Sequence, residues 1–165
     1  MLIGAYGTHW DRDVYEWNRV ARRQLLGERY GEVVDFSAAR GIYVLHRGPE
    51  IYYVGLTIEY GRMSGRLSDH AKPTSRHSGN WDAFSWFSFD GPGEHVDPPG
   101  FTEVDDDWDH YDLTIAGAAK GLEAILIEIL APSGNRRVEK HGDAERWDQV
   151  HTFDWSNKAD RRPRG

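Results

Sequence analysis

An α/β fold of the α+β type, built on a small antiparallel β-sheet of three or more strands flanked by helices, is what this sequence predicts. Three stretches carry the prediction. Gly41 to Gly55, GIYVLHRGPEIYYVG, is a pair of short apolar runs joined across Gly48 and Pro49, the pattern of a hairpin. WDAFSWFSFDG, from Trp81, is dense in aromatic residues, as a strand buried on parts of both faces should be. LTIAGAAKGLEAILIEIL, from Leu113, has helical length and is apolar almost all round.

The elements follow in chain order. VYEWNRVARRQLL, from Val14 to about Leu26, sets Val14, Trp17, Ala21 and Leu25 near one face and arginines on the other, so residues 1–40 read as an N-terminal helical extension with a short strand at Val33 to Phe36. With His46 to Glu50 as the hairpin loop, antiparallel register sets Tyr43 opposite Tyr53 and Gly41 opposite Gly55, leaving a notch beside two phenols. TIEYGRMSGRLSDHA becomes helical near its end, with Met63 and Leu67 on one side and Arg62, Arg66 and His70 on the other. KPTSRHSGN is loop by composition. Residues 91–112 combine prolines with acids and read as a long surface excursion. Pro132 and Gly134 end the apolar helix. Residues 138–165 form a C-terminal extension with a further helix and strand, closing on a basic, flexible tail, NKADRRPRG.

A chain of 165 residues, 39% hydrophobic and 13% aromatic, has material for one core, so residues 1–165 are expected to form a single domain. The absence of cysteine excludes disulfides, Cys-type zinc sites and thiol catalysis. Neither a basic leader with an apolar run nor a bilayer-length apolar stretch stands out, so a soluble cytoplasmic protein without a membrane partner is expected. The net charge of −7 argues against a polyanionic partner, but Glu103, Asp105, Asp106, Asp107 and Asp109 supply most of it from one segment. Basic clusters at Arg19, Arg22 and Arg23 and at Arg161, Arg162 and Arg164 stand apart from those acids.

GIY at Gly41 to Tyr43, YVG at Tyr53 to Gly55, RLSDH at Arg66 to His70, LEAILI around Glu123 and then Asn135 occur in that order. In this the chain resembles the GIY-YIG nuclease family over residues 41–137. The resemblance implies a divalent-metal-dependent endonuclease that hydrolyses DNA, with Tyr43, Tyr53, Arg66, His70, Glu123 and Asn135 as site residues and Mg²⁺ or Mn²⁺ held by Glu123. The interval from Tyr53 to Arg66 is longer than in many members, which leaves Arg62 beside Arg66 as a candidate nucleic-acid contact. Glu128 is the rival to Glu123.

Those residue types suit the chemistry. Phosphodiester hydrolysis needs an activated water, a cation beside the phosphate and help for the leaving oxygen. An unpaired carboxylate on an apolar helix is costly, and a cation relieves that cost; Mg²⁺ takes only one or two carboxylates and keeps several waters. The guanidinium fork of Arg66 fits a phosphate, and His70, one turn on, can relay a proton or orient a tyrosine. Tyr43 is the candidate base or water-orienting group, and a phenol in that role needs a nearby cation to lower its pKa. Tyr53 positions water or phosphate, and Asn135 holds the site together or caps a turn. Each residue also has a plainer reading: packed tyrosines in a hairpin, a solvated helix face for Arg66, a surface histidine, and an acid that reaches solvent. Two other functions stay open, a non-catalytic nucleic-acid-binding or protein-interaction module and an RNA-cleaving nuclease or toxin. A homo-oligomer or a partner protein is compatible with any of the three.

Overall fold

A computed structural model describes residues 3–15, 24–57, 62–97, 101–105, 115–130 and 144–150. In chain order the elements are β1 (Ala5–Asp11), a 3-10 turn (Arg12–Val14), β2 (Leu26–Arg29), β3 (Glu32–Asp35), β4 (Gly41–Arg47), β5 (Glu50–Thr57), α1 (Arg62–Ala71), β6 (Ala83–Ser88), β7 (Gly91–Asp97), β8 (Phe101–Asp105), α2 (Ile115–Leu130), β9 (Glu145–Arg146) and β10 (Asp148–Gln149). They form two sheets of five strands, ordered β5-β4-β6-β1-β9 and β10-β2-β3-β8-β7. Pairing is antiparallel except between β1 and β9 and between β3 and β8. The fold is therefore broadly α+β. The expected antiparallel unit is present as β5-β4-β6, but it is part of a wider sheet, and a second sheet accompanies it.

Aromatic side chains join the sheets. Phe36, just after β3, lies tilted 4.4 Å from Trp86 of β6 and edge-on 5.3 Å from Trp147, and Trp10 of β1 meets Trp86 edge-on at 5.1 Å. All four are buried, and such pairs contribute about 0.5–1.5 kcal/mol each beyond their area. Trp147 lies between β9, which pairs with the first sheet, and β10, which pairs with the second. Its N–H donates to the Tyr6 carbonyl at 2.8 Å, and its carbonyl accepts from Trp10 Nε1 at 3.3 Å. The Gln149 side chain adds two bonds to the backbone of Asp11.

The chain passes between the sheets at Arg40, before β4, and at Asp90, after β6, and these two passages are tied together. The Asp90 carboxylate, fully buried, accepts from the Arg40 backbone N–H at 2.7 Å and from Arg40 Nε at 2.9 Å, with a terminal guanidinium nitrogen closing the pair. A buried carboxylate is tolerable when it is paired and hydrogen-bonded in this way. Phe89 N–H also donates to the Arg40 carbonyl at 2.7 Å.

The helices cover opposite faces of the first sheet. Tyr43 and Trp86 pair across β4 and β6 and belong to the cluster that contains Met63 and Leu67 of α1. The next rung, Ile42 and Phe87, points the other way and packs with Ile125 and Ile129 of α2. Leu122, Leu126 and Leu130 of α2 remain exposed, so this nearly all-apolar helix buries one side and presents a leucine stripe on another.

Several sequence expectations are corrected. Residues 1–40 supply β1, β2 and β3 and are not a helical extension; Leu26 opens a strand, and residues 16–23 of the expected helix lie outside the described residues. Within the expected surface excursion, residues 91–97 and 101–105 are instead the strands β7 and β8 of the second sheet, while residues 98–100 and 106–112 lie outside the described residues. Pro92 is accommodated because β7 is an edge strand, where one missing N–H breaks no ladder. In the C-terminal extension the described residues 144–150 hold two short strands, while Pro132, Gly134 and the NKADRRPRG tail lie outside the described residues.

Asp90→Ala is expected to lower the unfolding free energy by about 2–4 kcal/mol, because it strands the Arg40 guanidinium and backbone N–H. Urea denaturation checks this, and a change under 0.5 kcal/mol would contradict the clamp.

Candidate active site

The site is built on the β4–β5 hairpin. The loop is tighter than His46 to Glu50: Arg47 pairs with Glu50, leaving Gly48 and Pro49 as the turn, with Gly48 at φ 56°. A two-residue turn with positive φ matches the twist of its strands, and the Gly48 N–H is further held by the Asp82 carboxylate at 2.9 Å. The register therefore shifts from the expected one. Tyr43 faces Gly55, Gly41 faces Thr57, and Tyr53 faces Leu45. No notch remains, because the Tyr43 ring fills it: a Cβ at position 55 would lie 2.2 Å from Tyr43 Cζ and 2.3 Å from its oxygen. Gly41 serves a separate purpose, since a Cβ there would lie 1.9 Å from the Phe87 carbonyl oxygen of the neighbouring strand.

Between Leu45↔Tyr53 and His46↔Ile51 the register slips by one, so Tyr52 is an extra residue without an opposite partner, a β-bulge. A bulge breaks the alternation of side chains, and both Tyr52 and Tyr53 pack against the cluster that holds Tyr43 and α1. Tyr53 lies with its ring 6.2 Å from Tyr43, 5.0 Å from His70 and 4.9 Å from His77. Tyr52 hydrogen-bonds to His77 Nδ1 at 3.2 Å.

Helix α1 supplies the other wall. Met63 and Leu67, one turn apart, are fully buried and dock it on the core. Its first N–H groups donate to the preceding turn, Met63 to the Ala39 carbonyl at 3.1 Å and Ser64 to Ser37 at 3.0 Å. Arg66 is exposed and His70 half-buried on the remaining face. His70 Nε2 lies 2.8 Å from the Tyr43 phenol oxygen.

Electrostatics sets the charge of the two partners. Burial, then the neighbouring Tyr53, pushes the Tyr43 phenol well above its ordinary pKa, and Arg66 opposes this less strongly. Burial, then His77, pushes His70 down, with Asp69 opposing. At neutral pH Tyr43 therefore keeps its proton and His70 is uncharged, and which of them donates in the bond between them follows the His70 tautomer. Arg66 does act to lower the Tyr43 pKa, as a neighbouring cation should, but desolvation outweighs it in this arrangement.

Of the expected residues, Tyr43, Tyr53 and His70 come together, with Arg66 near enough to influence Tyr43 and His70. Arg62 starts α1 at φ 40°, and its guanidinium donates to the Ala38 carbonyl at 3.3 Å, so it takes part in anchoring the helix. Glu123 rides on α2, against the opposite face of the sheet, and its side chain lies outside the described residues. Glu128 is half-buried on the same helix, close enough to raise the Tyr6 phenol. Asn135 lies outside the described residues. Sequence reasoning missed Tyr52 and His77. The doubled tyrosine was visible, but only a bulge brings both to one face.

Among the described residues no group of three or more His, Asp and Glu side chains is arranged to hold a metal ion, and no helix is long and apolar enough to cross a membrane. Comparison with family models, curated proteins and solved structures finds no match to this chain.

Gly55→Ala is expected to push the Tyr43 ring off its place and break the bond to His70, at about 1–3 kcal/mol of stability. Imidazole NMR shifts of His70 check it; shifts unchanged from the parent would contradict the packing argument.

Proposed function

We propose that this protein is a metal-dependent endonuclease that hydrolyses phosphodiester bonds in DNA. The observation that supports it most is the 2.8 Å bond from the Tyr43 phenol to an uncharged His70, on the face shared by Tyr53 and near exposed Arg66.

Tyr43 cannot offer a standing phenolate, since burial keeps its proton on. A relay meets the need. As water attacks phosphorus, the phenol oxygen takes a proton from the water while the phenol's own proton passes to His70 Nε2. A new P–O bond forms, the bond to the leaving oxygen breaks, and the pair ends with the phenol neutral and the imidazole charged. Arg66 binds the phosphate and offsets the charge that grows on it, and Tyr53 orients water or phosphate by hydrogen bonding.

The family resemblance implies Mg²⁺ or Mn²⁺ held by Glu123 as a Lewis acid, but α2 packs on the face of the sheet opposite to Tyr43 and α1, away from the phosphate that Arg66 would bind. The described donors beside Tyr43 are phenols and imidazoles, a poor set for a hard cation, so the metal rests on the resemblance. The position of α2 on the other face, together with the net charge of −7, favours the second reading, a non-catalytic nucleic-acid-binding or protein-interaction module on the same scaffold.

Incubation with single-stranded, duplex and branched DNA and with RNA, in Mg²⁺, Mn²⁺ or EDTA, separates these readings. DNA is expected to be cut only with metal, Arg66→Ala to lose about 10²–10³-fold in rate, and Glu123→Ala to lose the metal-dependent cleavage. Binding without cleavage would favour the module, and cleavage of RNA alone would move the protein to the RNA-cutting class.

A further inference from the structure

We propose that His77 is a positioning residue of this site: held by Tyr52 and Arg76, it fixes the His70 ring beside the Tyr43 phenol. The role in turnover rests on the nuclease reading; the role in holding His70 does not.

His77 is restrained from every side. Arg76 Nε–H can only donate, and it reaches His77 Nε2 at 3.1 Å, so that nitrogen accepts and Nδ1–H donates to the Tyr52 oxygen at 3.2 Å. Its backbone N–H donates to Ser75 Oγ at 3.2 Å, and its carbonyl accepts from Asn80 N–H at 3.1 Å. The ring stands perpendicular to that of His70, with centroids 4.6 Å apart, and Tyr53 touches both. With both ring nitrogens engaged, His77 acts through His70 and not on a substrate.

The bulge makes this possible. Strict alternation would carry Tyr52 to the α2 face, and His77 would lose the partner at Nδ1. The extra residue brings two tyrosines to one face, one packed on His70 and one bonded to His77.

Burial, then His77 in the following loop, disfavours a protonated His70, and Arg66 on α1 and Arg76 add to this, while the Tyr43 phenol bonds its Nε2. Asp69 on α1 favours protonation, but its carboxylate is also engaged by Lys72 at 2.5 Å. Removing His77 deletes one repulsive neighbour, so His70 should protonate at higher pH.

The test is a ¹⁵N-edited NMR titration of His70, with single-turnover DNA cleavage against pH, for wild type, His77→Phe and His77→Gln. Both variants are expected to raise the His70 midpoint and to move the acid limb of the rate profile upward with it. His77→Gln can accept from Arg76 and donate to Tyr52, so its plateau rate should stay within about twofold of wild type, while His77→Phe loses about tenfold. A His70 midpoint that moves in neither variant overturns the inference. If wild type cuts nothing, the nuclease reading fails, and the titration still decides whether His77 holds His70. Should His77→Phe not fold, His77→Gln and Tyr52→Phe carry the same comparison.

Discussion

The ring of Tyr43 lies over Gly55, and the geometry of the site depends on that contact. A side chain at position 55 and the ring cannot share the space, so the glycine is what lets the phenol cross β5 and meet α1. The meeting point is set from the other side by Met63 and Leu67, whose burial fixes the height and rotation of the helix. Given both constraints, His70 has little choice but to receive the phenol. Burial then keeps both partners uncharged, the phenol protonated and His70 a neutral imidazole.

Behind the hairpin the molecule is braced by two devices of different kinds. The Trp10, Phe36, Trp86 and Trp147 cluster is apolar and joins the sheets through area and ring geometry. The Arg40 and Asp90 pair is polar and directional, and it locks together two of the places where the chain changes sheets. β4 lies inside the first sheet with β5 at its edge, and the buried Tyr43 is held rigidly there while Arg66 of α1 is exposed. A proton relay needs that combination, since its donor and acceptor must stay within hydrogen-bonding distance while a substrate approaches.

Periodicity and composition revealed some of this in the sequence. The spacing of Met63 and Leu67 marked the buried face of α1, and the aromatic run from Trp81 marked β6. Tyr43, Tyr53 and His70 were legible as a set, but their contacts were not. Register hangs on whether Gly48 and Pro49 form a two-residue turn, and one slipped position changes every cross-strand partner. The bulge at Tyr52 has no sequence period, and His77 sits in a loop where no pattern distinguishes one histidine from another. Pro92 and the acids near it disguised β7 and β8 as loop, because the tolerance of an edge strand for proline depends on a sheet order that no local stretch encodes. The direction of the Tyr43 shift needed burial, which is a tertiary property.

The central claim is that the Tyr43 phenol, relayed to His70, activates water for phosphodiester cleavage. Tyr43→Phe tests it most directly, since the ring still packs over Gly55 and only the hydroxyl is lost. Single-turnover cleavage of a labelled DNA by this variant should fall by about 10²-fold or more, with stability changed by only about 1 kcal/mol. A Tyr43→Phe protein that cuts at the wild-type rate would contradict the account.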